Sequence, residues 1–180
     1  MIDINEMEII KGLKLKDEHM IKEFMNIYKD RLMKVAYMVM KDINIAEEIV
    51  QETFIKIIKD IDKFEGKSSL YTYVYKIAIN QCRQKLRKNW FKRITLVDKW
   101  FEGGDYRDWT EKSIDKLTID KSIGKLKFKY REVLLLYYYE DMSIEKIAEV
   151  TGDKKGTIKS KLSRARSMLK DILSKEGFNE

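Results

Sequence analysis

The chain has 180 residues, 37% of them charged, and its 37 lysines and arginines outnumber 30 acids for a formal net charge of +7. That length holds one domain or two small ones, and the basic excess suits an anionic partner such as nucleic acid or a membrane surface almost as well as it suits a merely soluble protein. Proline is absent and glycine occurs only eight times, which excludes linkers rich in either and argues against an all-β fold built on tight turns.

The single cysteine, Cys82, and the single histidine, His19, exclude an internal disulfide, a cysteine-rich zinc site and a histidine-pair metal site. No apolar run approaches the roughly 20 residues of a membrane span. Met1 to Lys11 alternates acids with isoleucine and methionine and lacks the basic start and apolar block of a secretory signal. The expectation is a reduced cytoplasmic protein with no metal, no cofactor, no small-molecule substrate and no membrane insertion.

From Asp17 to Lys41, apolar residues recur every three or four positions: Met20, Phe24, Ile27, Tyr28, Leu32, Val35, Ala36, Val39 and Met40. That period predicts an amphipathic helix. Asp42 and Asn44 supply turn and cap chemistry, and a second helix follows from about Ile45 to Phe64, with Val50, Phe54, Ile57, Ile58 and Ile61 on one face. Gly66 then suits a helix end and Ser68 or Ser69 the next N-cap. A third helix runs to about Lys88. Between Asn89 and Lys116 the periodicity fades; Trp90, Phe91, Trp100, Phe101, Tyr106 and Trp109 lie scattered among charges around Gly103-Gly104. This segment reads as an aromatic linker. Helical pattern returns from Leu117, with stripes at Tyr130, Val133, Leu134, Tyr137 and Tyr138, then at Ile144, Ile147 and Ala148, then from Ile158 to Leu173. The fold class is all-α: two small helical domains, residues 1–88 and 117–180, joined by a linker over 89–116.

The last block has the pattern of a helix-turn-helix. Ala148, Gly152 and Ile158 put a small residue at the helix crossing, glycine where the turn needs positive φ, and an apolar residue where the second helix packs back. Between Lys154 and Lys170 lie seven cations and no acid. Projected at about 100° per residue, Ile158, Leu162, Ala165 and Leu169 face inward. Thr157, Ser160, Arg164 and Ser167 face outward, with Ser163 beside them and Lys159 and Lys161 flanking. The short polar residues and Arg164 are expected at base edges of duplex DNA, and the lysines at phosphates. A solvated basic helix face is the plain alternative for the charges alone.

The N-terminal block carries two surfaces of opposite character. Glu48, Glu52 and Ile55 project from the second helix at i, i+4 and i+7, with Glu47 and Gln51 between the faces, and no basic residue lies from Asn44 to Ile55. An acidic patch in a basic protein suits protein docking, although acids at a helix start are also favoured by its dipole. On the third helix, Tyr71, Tyr75, Ala78, Ile79, Cys82 and Leu86 share an apolar face. The opposite stripe is Tyr73, Lys76, Ile77, Asn80, Arg83, Gln84 and Arg87. A ring can stack on an unpaired base, cations can track a backbone and an amide can pair with adenine; a tyrosine there can equally be packing.

Three stretches resemble one family. Ala46-Glu-Glu-Ile-Val-Gln-Glu-Thr-Phe54, Phe64-Glu-Gly-Lys-Ser-Ser-Leu-Tyr-Thr-Tyr-Val-Tyr-Lys-Ile-Ala-Ile-Asn80, and Tyr130-Arg-Glu-Val-Leu-Leu-Leu136 followed by Ser143 to Leu169 are together similar to the extracytoplasmic-function (ECF) sigma factors. These are small bacterial promoter-recognition subunits of RNA polymerase. The resemblance implies that Glu47, Glu48, Gln51 and Glu52 contact the clamp helices of core polymerase. It implies that Lys67, Ser68 and Ser69 shape a pocket for a base flipped from the melted minus-ten element, with Tyr73 and Asn80 nearby. It places Lys159, Ser160, Ser163 and Arg164 toward the double-stranded minus-thirty-five element. The C-terminal domain would also meet the polymerase flap, the linker would thread near the active centre, and an anti-sigma factor is a further implied partner. The chain departs from the family at its turn: the family usually has apolar residues at the positions of Thr151 and Asp153 and often a proline near Lys154. A lead helix packed less firmly is therefore expected.

The main rival is a stand-alone helix-turn-helix transcription regulator, which matches only the last third of the chain. A helical RNA-binding or scaffolding protein is the second. Gly66-Lys67-Ser68 resembles the tail of a phosphate-binding loop, but Ile61 stands where that loop needs glycine. With one histidine no catalytic triad can be assembled, so the reading is of a binding protein and not an enzyme.

Overall fold

The structure, a computed structural model, describes residues 5–95, 114–175 and 177, with side chains described outside 89–118. The aromatic linker side chains therefore lie outside the described residues. The described residues form no strand. Their helices are α1 (Glu6–Lys14), α2 (Glu18–Met40), α3 (Ile43–Asp60), a 3-10 turn (Ile61–Lys63), α4 (Leu70–Thr95), α5 (Ile114–Lys125), α6 (Phe128–Tyr138), α7 (Ile144–Thr151) and α8 (Lys155–Lys175).

The helices begin where short polar side chains can accept the free N–H groups of a first turn. Asp17 accepts from Met20 N at 2.8 Å, Asp42 from Ile45 N at 3.0 Å, Ser69 from Thr72 N at 3.2 Å and Ser143 from Lys146 N at 3.2 Å. Each such cap stabilises its helix by about 1 kcal/mol. Asp42 caps alone, so α3 begins at Ile43 and Asn44 lies inside its first turn; the helix ends at Asp60, where the 3-10 turn takes over. α4 runs past the expected end near Lys88 to Thr95, which fits the absence of any glycine or proline between Gly66 and Gly103.

One helix escaped the sequence reading. α1 opens on a capping box in which Asn5 and Glu8 satisfy each other's backbone donors. It packs on α2 and beside the 3-10 turn. Glu6 accepts from Leu70 N at 2.8 Å, so α1 supplies a carboxylate to the start of α4.

Phe24, Ile49, Ile57, Ile79 and Cys82 lie in the core of α2, α3 and α4. Leu135, Ile147, Ile158, Leu162 and Ala165 lie in that of α6, α7 and α8. The two halves also pack on each other. α7 lies against α4, and α5 and α6 lie against α2, so the buried side chains form one continuous cluster. Three expectations are corrected. Ile27, expected on the apolar stripe of α2, is 43% exposed. Ile77, expected on the outward stripe of α4, is buried, because α4 is covered on two sides. Tyr138, expected on the apolar stripe of α6, is 55% exposed. Its hydroxyl accepts from Arg166 at 2.9 Å, and the Arg166 guanidinium lies over the Tyr137 and Tyr138 rings.

Candidate nucleic-acid interface

The helix-turn-helix is α7, the turn at Gly152 and α8. Gly152 sits at φ 75° and caps α7 in the left-handed conformation, the conformation that glycine adopts without a Cβ penalty. Ile158, Leu162 and Ala165 are buried, while Thr157, Lys159, Ser160, Ser163 and Arg164 are exposed. The outward stripe is therefore presented to solvent. Ser160 spends its hydroxyl on the Thr157 carbonyl at 2.9 Å. The Arg164 guanidinium beside the Tyr130 hydroxyl holds that phenol below its ordinary pKa.

Lys161 behaves differently from its neighbours. Its side chain is only 17% exposed and reaches Asp153 at 2.6 Å, with Glu132 at 3.7 Å. The expected loosening of the lead helix is corrected here. Thr151 is buried and donates to the Ile147 carbonyl at 2.8 Å. Its oxygen accepts from Asp153 N at 3.3 Å. Hydrogen bonds and the Asp153–Lys161 pair thus hold a turn that apolar residues would otherwise pack.

The acidic surface lies on α3. Glu47, Glu48, Gln51 and Ile55 are exposed, Ile55 at 65%, and Glu52 is half-buried. Lys85 on α4, 13% exposed, pairs with Glu48 and lies 2.9 Å from Glu52. Hydrogen bonding to Lys85 holds the Glu48 carboxyl below its usual range. Lys85 was not singled out from the sequence; only the packing of α4 on α3 brings it there.

On α4, Lys76 and Asn80 are exposed one turn apart. Tyr73 packs its ring on Phe64 at 4.9 Å, tying the preceding loop to the first turn of α4. Within that loop Gly66 has φ 70°, Lys67 pairs with Glu65, and Ser68 and Ser69 are half-buried, with Ser69 serving as the N-cap. Arg83 turns away from this group. Its Nε and Nη2 donate to the two oxygens of Glu132 at 3.1 and 3.0 Å, and its Nη1 donates to the Thr151 carbonyl at 2.7 Å. Burial pushes the Glu132 carboxyl up, against the pull of Arg83 and Lys161. Among the described residues no group of histidine, cysteine or acids is placed to hold a metal, and no helix is long and apolar enough to cross a membrane.

Comparison with known proteins identifies the family of the chain. Residues 24–92 match the family model of sigma-70 region 2, and residues 116–169 match that of sigma-70 region 4. The ECF RNA polymerase sigma factor SigW of Bacillus subtilis is 28% identical over 91% of this chain and 94% of its own length. RNA polymerase sigma factor SigV of the same organism is 27% identical over 66% of this chain and 70% of its own. Among solved structures, the sigma factor RpoE of Bartonella quintana, in complex with the anti-sigma factor NepR, superposes with a TM-score of 0.76 and 27% identity, covering 85% of this chain and 96% of that one. CnrH, in complex with the cytosolic domain of CnrY, shares the fold with a TM-score of 0.70 at 18% identity, covering 92% of this chain and 95% of that one. The region 2 match, over residues 24–92, leaves the stand-alone regulator without an account of more than a third of the chain. With both regions present in order and one relative aligned along nearly its whole length, the chain belongs to the ECF sigma factors of the sigma-70 family.

Proposed function

We propose that this sigma factor divides its work among three surfaces, with residues 1–88 docking on polymerase and reading melted DNA, 89–116 linking, and 117–180 reading duplex DNA. The exposed face of α3, formed by Glu47, Glu48, Gln51, Glu52 and Ile55, docks on the clamp helices of core polymerase. The start of α4 and its loop hold the melted minus-ten strand: Lys67, Ser68 and Ser69 around a flipped base, Tyr73 and Asn80 beside it, and Lys76 along the backbone, while Arg83, bound to Glu132, stands outside this group. Thr157, Ser160, Ser163 and Arg164 on α8 meet base edges of the minus-thirty-five element and Lys159 meets phosphates, whereas Lys161, expected beside it, is held by Asp153 and reaches phosphate only where that pair opens. The C-terminal helices also meet the polymerase flap.

The observation that carries this reading is the opposition of two exposed helix faces on one chain. α3 presents carboxylates and Ile55, while α8 presents cations and short hydroxyls. Carboxylates repel phosphate and cations attract it, so only the second face suits DNA. Binding at the promoter elements supplies the energy for selection and melting, and the polymerase carries out all covalent chemistry. The protein then works in the cytoplasm, where core polymerase and promoters are. An anti-sigma factor is a further proposed partner, since one solved relative is a sigma factor held in such a complex.

Transcription reconstituted with core polymerase on a promoter library tests the reading. Transcripts from a defined promoter class are expected. Nanomolar binding to duplex DNA by the protein alone, with no transcript from any promoter, would overturn it.

A further inference from the structure

α1 lies ahead of the region 2 match, which begins at residue 24, yet it grips both ends of the loop between the 3-10 turn and α4. Lys14, in the last turn of α1, donates to the Phe64 carbonyl at 3.5 Å, where the loop starts. Glu6, in its first turn, accepts from Leu70 N at 2.8 Å, where the loop ends. Lys16, just past the helix, donates to the Ile58 carbonyl in the last turn of α3. Between the two fastened ends stand Lys67, Ser68 and Ser69.

The signs of these contacts suit the helices they touch. The first N–H groups and the last carbonyls of a helix have no partner within it, and its N-terminus is partly positive and its C-terminus partly negative. α1 thus offers an anion to the start of α4 and a cation to the end of α3. Leu70 is 0% exposed, and a buried donor stripped of its acceptor costs more than the bond itself contributes. Ser69 does not take this donor, because its hydroxyl is engaged with Thr72 N at 3.2 Å and the Thr72 hydroxyl at 3.0 Å. α1 is itself well seated. Ile9 and Leu13 are buried, and Gly12 approaches α2 so closely that a Cβ there would stand 2.4 Å from Cβ of Met20. With a rise of about 1.5 Å per residue, Glu6 and Lys14 lie about 12 Å apart along a stiff rod.

We propose that α1 is a strut for this loop and that Glu6 is a positioning residue for base selection at minus ten, holding the Leu70 N–H and through it the placement of Lys67, Ser68 and Ser69. The inference rests on the minus-ten role proposed above for the loop. The other tie on the loop, the Phe64 ring against Tyr73 at 4.9 Å, comes from α4 and travels with it, so α1 is the reference from outside. At Gly66, where the chain turns with φ 70°, nothing lies within 4 Å of an added Cβ. The middle of the loop is open and its shape follows from its ends. Glu6 touches no DNA in this reading. It acts by preorganising groups that do, which sharpens discrimination between bases more than it raises overall affinity.

Three variants outside the proposed DNA and polymerase contacts test the strut. Glu6→Ala removes the acceptor, Glu6→Gln keeps an acceptor oxygen at the same reach, and Lys14→Met keeps the stem but removes the donor at the other end. Amide exchange of the full chain, followed by NMR, reads the strut without any function. Leu70 N–H is expected to exchange about tenfold faster in Glu6→Ala, the scale of one lost hydrogen bond to a charged group, and close to the wild-type rate in Glu6→Gln. The core amides of Ile49 and Ile79 should not change. Holoenzyme reconstituted with core polymerase, on promoters randomised at both elements, reads the positioning. Preference for the favoured minus-ten base is expected to fall about tenfold in Glu6→Ala, less in Lys14→Met, and to be rescued in Glu6→Gln, with minus-thirty-five preference unaltered throughout. Unchanged Leu70 exchange in Glu6→Ala overturns the strut. Uniformly lower transcription with the same base preference makes Glu6 a stabilising residue only and overturns its positioning role. Lys67→Ala with Ser68→Ala separates the two failures. If that pair changes minus-ten preference and Glu6→Ala does not, the loop keeps its role and Glu6 loses its own. If neither does while Leu70 exchange responds, the minus-ten reading of the loop falls, and base selection by Glu6 falls with it.

Discussion

Asp153 holds Lys161 at 2.6 Å across the turn of the helix-turn-helix, so the departure of this turn from an apolar pattern and the burial of one recognition-helix lysine are a single arrangement. Asp153→Ala removes that partner and leaves Glu132, at 3.7 Å, as the remaining anion. Non-specific duplex binding should strengthen and its salt slope steepen by up to about 0.9, the value for one added phosphate contact on B-DNA. Fluorescence anisotropy across a salt series measures it, and an unchanged slope would show that Lys161 stays turned inward.

Arg164 is exposed on the outward stripe of α8. If it reads a base, Arg164→Ala costs about 1–3 kcal/mol at the upstream element and relaxes preference at one position. Promoter selection with reconstituted holoenzyme checks this. An unaltered base preference assigns Arg164 to the Tyr130 contact alone.

Charge reversal at Glu48 and Glu52 is too blunt a probe of polymerase docking, because Lys85 lies between them and three cations would then crowd a mostly buried site. Glu48→Gln with Glu52→Gln keeps the shapes. Core affinity in a pull-down should fall while the circular dichroism spectrum persists; normal core affinity would count against the docking face. The pair also sets an acid dependence. The Glu48 pKa is lowered in the fold by Lys85, so its contribution to stability is present above its ordinary value and is lost as pH falls through the lowered one. The Gln variant should show a weaker loss of stability over that acid window in urea melts.

Cys82 is buried, and desolvation pushes its thiol up from 9.0 to about 12. Because the thiolate is the reactive form, iodoacetamide at about pH 8 should label the unfolded chain and spare the native one, as mass spectrometry would read. The raised pKa means this site favours the fold below pH 9.0 and ceases to do so as pH climbs toward 12. Rapid labelling without denaturant would place Cys82 outside the core.

Gly152→Ala isolates the cost of the turn's backbone. No atom lies within 4 Å of the added Cβ, so what remains is the left-handed conformation at φ 75°. The expected loss is about 1–2 kcal/mol, seen as a lowered urea midpoint with an unchanged slope. A neutral result would mean that the turn shifts to a conformation alanine tolerates.

The helices were legible because their signals are local. Periods of three and four mark α2, α3 and α8, and Asp17, Asp42 and Ser69 stand where first-turn donors need acceptors. α1 was equally local and was missed, since its capping box of Asn5 and Glu8 was read only as acids among apolar residues. The outward stripe of α8 was legible for the same reason: helical phase alone decides which way Thr157, Ser160 and Arg164 point.

Pairings between distant segments had no such signal. Lys85 with Glu48, Arg83 with Glu132, and Tyr75 with Glu140 join residues 37, 49 and 65 positions apart. A charge pattern along a chain says which groups are available, not which will be desolvated together. The sequence by itself determined the helices, their faces, the left-handed turn at Gly152 and membership of the family. Only the tertiary structure decided which cations remain open to DNA. Packing α7 along α4 buries Glu132 and Glu140, and a buried carboxylate requires a partner more strongly than an exposed one does.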